Sequence, residues 1–160
     1  NIILFSGSID FKENKIAFKK FYRNIYPLLK KKYKNYKIVV TGTKISLKEN
    51  VYQTGVLKYQ EYLKLLRKTK LCIYPFRKGP GTKIKVIEAL CNDVPIITNK
   101  HGFRGLDIKH KSKLIYRSNL ELKNKIKTML SKTNSYDSIF IDAKKKYNIK
   151  IILNDFYSKI

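Results

Sequence analysis

The sequence predicts an α/β domain on a six-stranded, mainly parallel sheet, and three observations carry that expectation. Short apolar runs alternate with longer stretches of helical periodicity, the pattern of repeated strand–helix–strand units. Nearly every apolar run ends in a glycine or a glycine-bearing loop. The 160 residues, 43% hydrophobic and 29% charged, suit one globular domain with a single core, so residues 1–160 read as one unit.

Ile2–Ser6 is the first strand, ended by Gly7 and Ser8. A helix over residues 14–32 follows, with Ile16, Phe18, Phe21, Ile25, Leu28 and Leu29 at helical spacing. Pro27 lies inside it and predicts a kink or a restart. Residues 36–41 form the second strand, closed by Gly42, and residues 51–54 the third, closed by Gly55. A short helix over 61–68 leads to the fourth strand at 71–76, with Pro75 at its exit. After a loop of Arg77, Lys78, Gly79, Pro80 and Gly81, a helix spans 82–91, with Asn92 and Asp93 to end it. Residues 94–98 are the fifth strand, 114–116 a short sixth, and helices are expected over 120–130, 136–147 and 150–157. The chain opens on Asn1 instead of Met and enters a strand at once, which predicts a piece of a longer protein.

The formal charge of +25 raises nucleic acid as a partner. Yet only five of the 36 basic residues are arginine (Arg23, Arg67, Arg77, Arg104, Arg117), the side chain suited to bidentate reading of bases and phosphates. The lysines are spread along the chain, and the excess of Lys, Asn, Ile and Tyr fits a coding bias toward A/T-rich codons. A solvated basic surface is therefore the first expectation. Attraction to an anionic partner, whether a nucleotide diphosphate, a lipid phosphate or an anionic membrane face, is the second. No apolar run approaches the ~18 residues of a membrane-spanning helix. Cys72 and Cys91 lack metal or CxxC spacing and read as buried, reduced thiols of a cytoplasmic protein. No metal is expected, because no His, Cys, Asp and Glu cluster has ligand spacing.

Ligands of open parallel sheets bind outside the carboxyl ends of the strands, which here predicts a crevice lined by Gly7, Gly55, Gly79, Gly81 and Gly102. His101 lies in one of these loops and stands as a weaker candidate for ligand contact, whereas His110 among lysines reads as surface. The junction at residues 79–88 holds the most chemistry. Gly79 and Gly81 bracket Pro80 just before a helix, so backbone N–H groups and the positive helix end face the crevice. Thr82 suits the N-cap, Lys83 and Lys85 add charge, and Glu88 suits accepting two hydrogen bonds from a ribose diol. On spacing alone, a glycine-punctuated turn with a solvated lysine pair and an incidental glutamate is equally good. The spacing fits neither a Walker A loop nor a GxGxxG fingerprint.

The stretch from Pro75 to Thr98, Pro-Phe-Arg-Lys-Gly-Pro-Gly-Thr-Lys-Ile-Lys-Val-Ile-Glu-Ala-Leu-Cys-Asn-Asp-Val-Pro-Ile-Ile-Thr, resembles the C-terminal domain of the group 1 glycosyl transferases of GT-B fold. Phe5-Ser-Gly-Ser-Ile-Asp10 with Asn14, Thr41-Gly42, Thr54-Gly55-Val56 and His101-Gly-Phe-Arg-Gly105 resemble further landmarks of that family, in order along the chain. The resemblance implies a Rossmann-like three-layer domain, the C-terminal half of a two-domain enzyme whose N-terminal acceptor domain is absent here. It implies a nucleotide-diphosphate sugar as donor, with no cofactor or metal, and a saccharide or lipid-linked acceptor. Transfer would retain the anomeric configuration, and the isolated domain would transfer nothing. A cytoplasmic protein is expected, with peripheral contact at the inner membrane face as a further option. In this reading Glu88 holds the ribose, while Arg77, Gly79, Gly81, Thr82 and Lys83 meet the diphosphate or the sugar. Gly55 and Val56 contact the base, and Gly7, Ser8 and Lys12 lie at the first loop. The chain departs from the family at two places. Pro80 stands where many members have a glutamate, and Ser8 where many have an arginine, with Lys12 near the usual lysine position. Lys83 is then the candidate for the missing cation, and the only one for a catalytic role. The rival readings are a basic nucleic-acid-binding domain and a non-catalytic nucleotide-binding module.

Overall fold

Ile3, Leu4 and Phe5 are all buried, so β1 (Ile2–Ser6) has no solvent face and belongs in the middle of a sheet. A computed structural model of the chain describes residues 1–8, 10–42, 51–76, 83–131 and 135–147. There β1 pairs in parallel with β2 (Lys37–Thr41) on one side and β4 (Thr69–Tyr74) on the other. β3 (Val51–Gln53) and β5 (Ile96–Thr98) complete an all-parallel sheet in the order β3-β2-β1-β4-β5. This is the Rossmann-like order in which the chain winds outward from β1 and then returns past it.

The sheet has five strands, one fewer than the sequence predicts. The segment expected as the sixth touches the sheet at one residue, through a parallel bridge between Thr98 and Ile115. The reason is local. His110 takes a left-handed conformation (φ 57°) and Lys111–Leu114 winds into a 3₁₀ turn that buries Leu114, leaving too little extended chain for a strand.

The first predicted helix is interrupted where Pro27 foretells it. α1 (Lys12–Lys20) widens into a π-helical turn at Phe21–Ile25 before α2 (Tyr26–Lys32) resumes. A proline has no N–H to donate, and its ring crowds the carbonyl four residues back, so a widened turn relieves both. Phe21 and Ile25 are buried in that turn, and the rings of Phe18 and Phe21 lie 5.4 and 5.2 Å from Phe5.

α3 (Tyr59–Arg67) begins where the Glu61 carboxylate accepts the Lys58 N–H at 3.0 Å, satisfying one of the free donors of the first turn. α4 (Ile84–Cys91) opens with Lys83 in the cap position, its carbonyl 2.8 Å from the Val86 nitrogen; Thr82, the cap expected from sequence, lies outside the described residues. Val86, Ile87, Ala89 and Leu90 bury one side of α4, leaving Lys85 and Glu88 on a half-open face. The helix stops as Asn92 and Asp93 foretell. Asn92 Nδ2 donates to the Glu88 carbonyl at 2.8 Å and Asp93 turns left-handed (φ 60°). α5 (Asn119–Leu130) and α6 (Asp137–Tyr147) follow, and α6 lies along α4. Cys91 Sγ donates to the Tyr147 carbonyl at 3.5 Å, and Lys144 pairs with Asp93 at 2.6 Å. Residues 150–157, predicted helical, lie outside the described residues.

Leu90 is fully buried on α4, so Leu90→Ala is expected to cost about 2–5 kcal/mol in urea denaturation. Lys144→Ala removes a largely exposed ion pair and is expected to cost no more than about 1 kcal/mol in the same measurement.

Candidate functional site

The glycines that end the strands are held close together. At the end of β4 the Tyr74 hydroxyl donates to Asn14 Oδ1, and Asn14 Nδ2 donates to the Ser8 carbonyl at 2.8 Å. That clamp leaves no room above Gly7, where a Cβ would sit 2.9 Å from Tyr74 Oη and 3.1 Å from Asn14 Cγ. Gly42 is tighter still. Its φ is +80°, and a Cβ there would meet the Gly7 carbonyl carbon and the Ser8 nitrogen at 2.7 Å. The Gly42 N–H donates at 2.7 Å to the carbonyl of Gly55, itself at φ 68°. Bare backbone thus draws the loops after β1, β2 and β3 to one place.

Beside them opens a crevice of ≈ 300 Å³ on the carboxyl side of the sheet. It gathers Ser6, Gly7 and Ser8 after β1, and Thr41 and Gly42 after β2. Val56, Leu57, Tyr59 and Tyr62 come from the start of α3, and Lys85 and Glu88 from α4. A larger hollow of ≈ 1150 Å³ lies at the opposite, amino end of the strands, against Asn1, Thr69 and Val94. Parallel sheets bind ligands at their carboxyl edge, where the loops diverge, so the smaller crevice is the better site.

The electrostatics of the crevice centre on two side chains three residues apart, on one face of α4. Burial raises the pKa of the Glu88 carboxyl above the usual range, and the Lys85 charge partly offsets the rise. Burial lowers the pKa of the Lys85 ammonium, and Glu88 partly offsets that. Neither side chain has a hydrogen-bond or ion-pair partner among the described residues. The two therefore present polar ends of opposite sign, without protein partners and still reached by solvent, to one cavity. Tyr62 lies deeper, its hydroxyl 3.4 Å from Ser6 Oγ, and burial pushes its phenol pKa well up. Val56 and Tyr59 are exposed at the rim.

Of the residues predicted from sequence, Gly7, Ser8, Val56 and Glu88 meet in this crevice, with Gly55 buried behind Val56. Lys12 is exposed at the start of α1 and is not part of the lining. The Lys83 ammonium lies 5.3 Å from the centre of the Phe76 ring. Arg77, Gly79, Gly81 and Thr82 lie outside the described residues. Gly102 falls elsewhere than expected. A Cβ there would strike Thr98 Oγ1 at 2.2 Å, so the glycine is required by packing against β5, and neither it nor His101 lines the crevice. From sequence Lys85 is only an added charge at the junction with no ligand contact assigned, and Tyr59 and Tyr62 are missed. Their three-residue spacings, Lys85 to Glu88 and Tyr59 to Tyr62, are the signal that joins each pair on one helix face. Among the described residues no group of three His, Cys, Asp or Glu side chains could hold a metal ion. None of the helices described is long and apolar enough to cross a membrane.

A family model, "Glycosyl transferases group 1", matches residues 1–132. The chain belongs to the group 1 glycosyl transferases. No curated protein matches this chain in sequence. Solved structures agree in fold. The C-terminal domain of a group 1 glycosyl transferase (LpcC) from Francisella tularensis is 15% identical with a TM-score of 0.66, over 94% of this chain and 85% of that one. The pneumococcal O-GlcNAc transferase GtfA, solved with UDP and GlcNAc, is 11% identical with a TM-score of 0.64, over 99% of this chain and 35% of its own. A UDP-GlcNAc 2-epimerase from Methanocaldococcus jannaschii, solved with UDP-GlcNAc and UDP, is 16% identical with a TM-score of 0.57, over 96% and 44%. The chain thus spans less than half the length of these last two.

The buried carboxylate has a measurable signature. Because the folded-state pKa of Glu88 is raised, its ionisation withdraws stability as pH climbs above the ordinary value of 4.5. Glu88→Gln is expected to melt close to the parent near pH 4, where both side chains are neutral, and above it at pH 7. Thermal unfolding of the two proteins across that range checks the sign.

Proposed function

We propose that this domain binds a nucleotide-diphosphate sugar in the crevice between the carboxyl ends of β1 and β2 and helix α4, as the donor half of a group 1 glycosyl transferase. The observation that carries the reading is Glu88. It is a half-buried carboxylate with no protein partner among the described residues, facing a cavity floored by glycine backbone. Holding such a group out of water is costly unless a ligand supplies hydrogen bonds, and a ribose diol supplies two. Gly7 and Gly42 put bare backbone in the lining, and the exposed Val56 and Tyr59 offer a rim against which a flat base can lie. Two solved relatives in fold, a transferase and an epimerase, both hold UDP, which supports a nucleotide as the shared ligand while the family supports transfer as the reaction.

In this reading the acceptor, a saccharide or a lipid-linked saccharide, is held largely by an N-terminal domain of the same enzyme. The donor keeps its anomeric configuration on transfer. The domain needs no cofactor or metal, works in the cytoplasm or against the inner membrane face, and transfers nothing by itself. As the sugar leaves, negative charge grows on the departing diphosphate, and stabilising that charge is the main chemical task of this half.

Thermal melting with UDP, GDP and ADP and their sugar conjugates tests the reading. The matching nucleotide at a hundred times its Kd is expected to stabilise the fold by about 2.7 kcal/mol. Glu88→Ala is expected to remove the effect while the domain still folds. RNA binding that falls steeply with salt and ignores Glu88, with no shift from any nucleotide, would sink it.

A further inference from the structure

We propose that Lys85, rather than Lys83, is the cation that receives the diphosphate of the donor. The inference rests on the donor-binding reading above and deepens it.

Three observations place the charge. Lys85 is the only cation among the described residues that line the crevice. The other candidates stand elsewhere. The Lys83 ammonium packs over Phe76, Lys12 is exposed outside the lining, and Ser8 at the first loop gives its hydroxyl to the Asp10 carboxylate at 2.6 Å. That first loop therefore carries local negative charge where a phosphate would need positive.

The second observation is the state of Lys85 itself. Its ammonium is half-buried and finds no hydrogen-bond or ion-pair partner among the described residues; the charge of Glu88 acts on it only from a distance. Partial burial costs an unpaired ammonium part of its hydration, and an incoming phosphate offsets that loss with a charge-assisted hydrogen bond.

The third is order along the helix. Lys85 and Glu88 share one face of α4, separated by about 4.5 Å of helix rise, with Lys85 nearer the amino end. A nucleotide whose ribose meets Glu88 places its phosphates one sugar's length away, and only the direction toward Lys85 also runs toward the positive end of the helix dipole. The pair then divides the ligand: the carboxylate takes the ribose hydroxyls and the ammonium takes the phosphate oxygens. Because no direct ion pair joins them, neither has to be broken from the other before the ligand enters.

The test compares UDP, GDP and ADP with uridine, guanosine and adenosine, by calorimetry on the full chain. The parent is expected to prefer the diphosphate of its base over the nucleoside. Lys85→Met, of similar length and without charge, is expected to weaken diphosphate binding about ten- to hundredfold while leaving nucleoside binding within about twofold. Lys85→Arg is expected to recover most of the loss, and the melting temperature of Lys85→Met is expected at or above the parent's. An unchanged preference for diphosphate in Lys85→Met, or the whole loss moving to Lys83→Met, overturns the assignment and leaves donor binding intact. Absence of diphosphate binding to the parent overturns the donor reading itself.

Discussion

The double parallel pairing of β1 governs where everything else can lie. With β2 on one edge and β4 on the other, the connections leaving β1 and β4 must part, and a gap opens at the carboxyl end between them. The buried run Ile3, Leu4, Phe5 enforces that central position, since no face of it tolerates water. Phe5 also carries the packing on which the gap rests. Its ring stacks on Tyr74 at 4.8 Å and meets Phe18 and Phe21, fixing β4 and the first helical segment against one point.

From there polar contacts take over. Tyr74 is apolar in its ring and polar at its tip. The ring lies in the core, and the hydroxyl reaches Asn14, which in turn holds the Ser8 carbonyl. One chain of contacts therefore runs from the core to the loop that floors the crevice. Gly7 and Gly42 are what let the loops close over it, because either Cβ would collide with atoms the clamp has already placed. The floor of the crevice is thus tied to the core, and the half-buried charges at its wall, Lys85 and Glu88, are held by a helix whose opposite face is fully packed.

Much of this was legible in the residues. The strands announced themselves because parallel strands buried on both faces read as unbroken apolar runs, and Pro27 announced the break in the first helix by its missing N–H. Glu88 was legible through its place behind a glycine loop. Other features were not, for physical reasons that are plain in retrospect. Gly102 looked like its fellow loop glycines, yet its need comes from Thr98, four residues away, whose side chain occupies the space a Cβ would fill. The left-handed turn at His110, which shortens the last strand to one bridge, leaves no mark in hydrophobic periodicity. Lys85 is marked in the sequence only by its three-residue spacing from Glu88, as one lysine among many in a chain of charge +25; its partial burial beside Glu88 is what sets it apart from Lys83. The approach of Tyr62 to Ser6 joins residues 56 positions apart, which no local pattern encodes.

We propose above that a nucleotide occupies the crevice between these loops and α4. Backbone amide chemical shifts, followed as the nucleoside diphosphate that binds best is titrated into the chain, test it most directly. The largest shifts are expected on Gly7, Ser8, Gly42, Val56, Tyr59, Lys85 and Glu88. Shifts concentrated instead around the hollow at Asn1, Thr69 and Val94, on the opposite edge of the sheet, would contradict it.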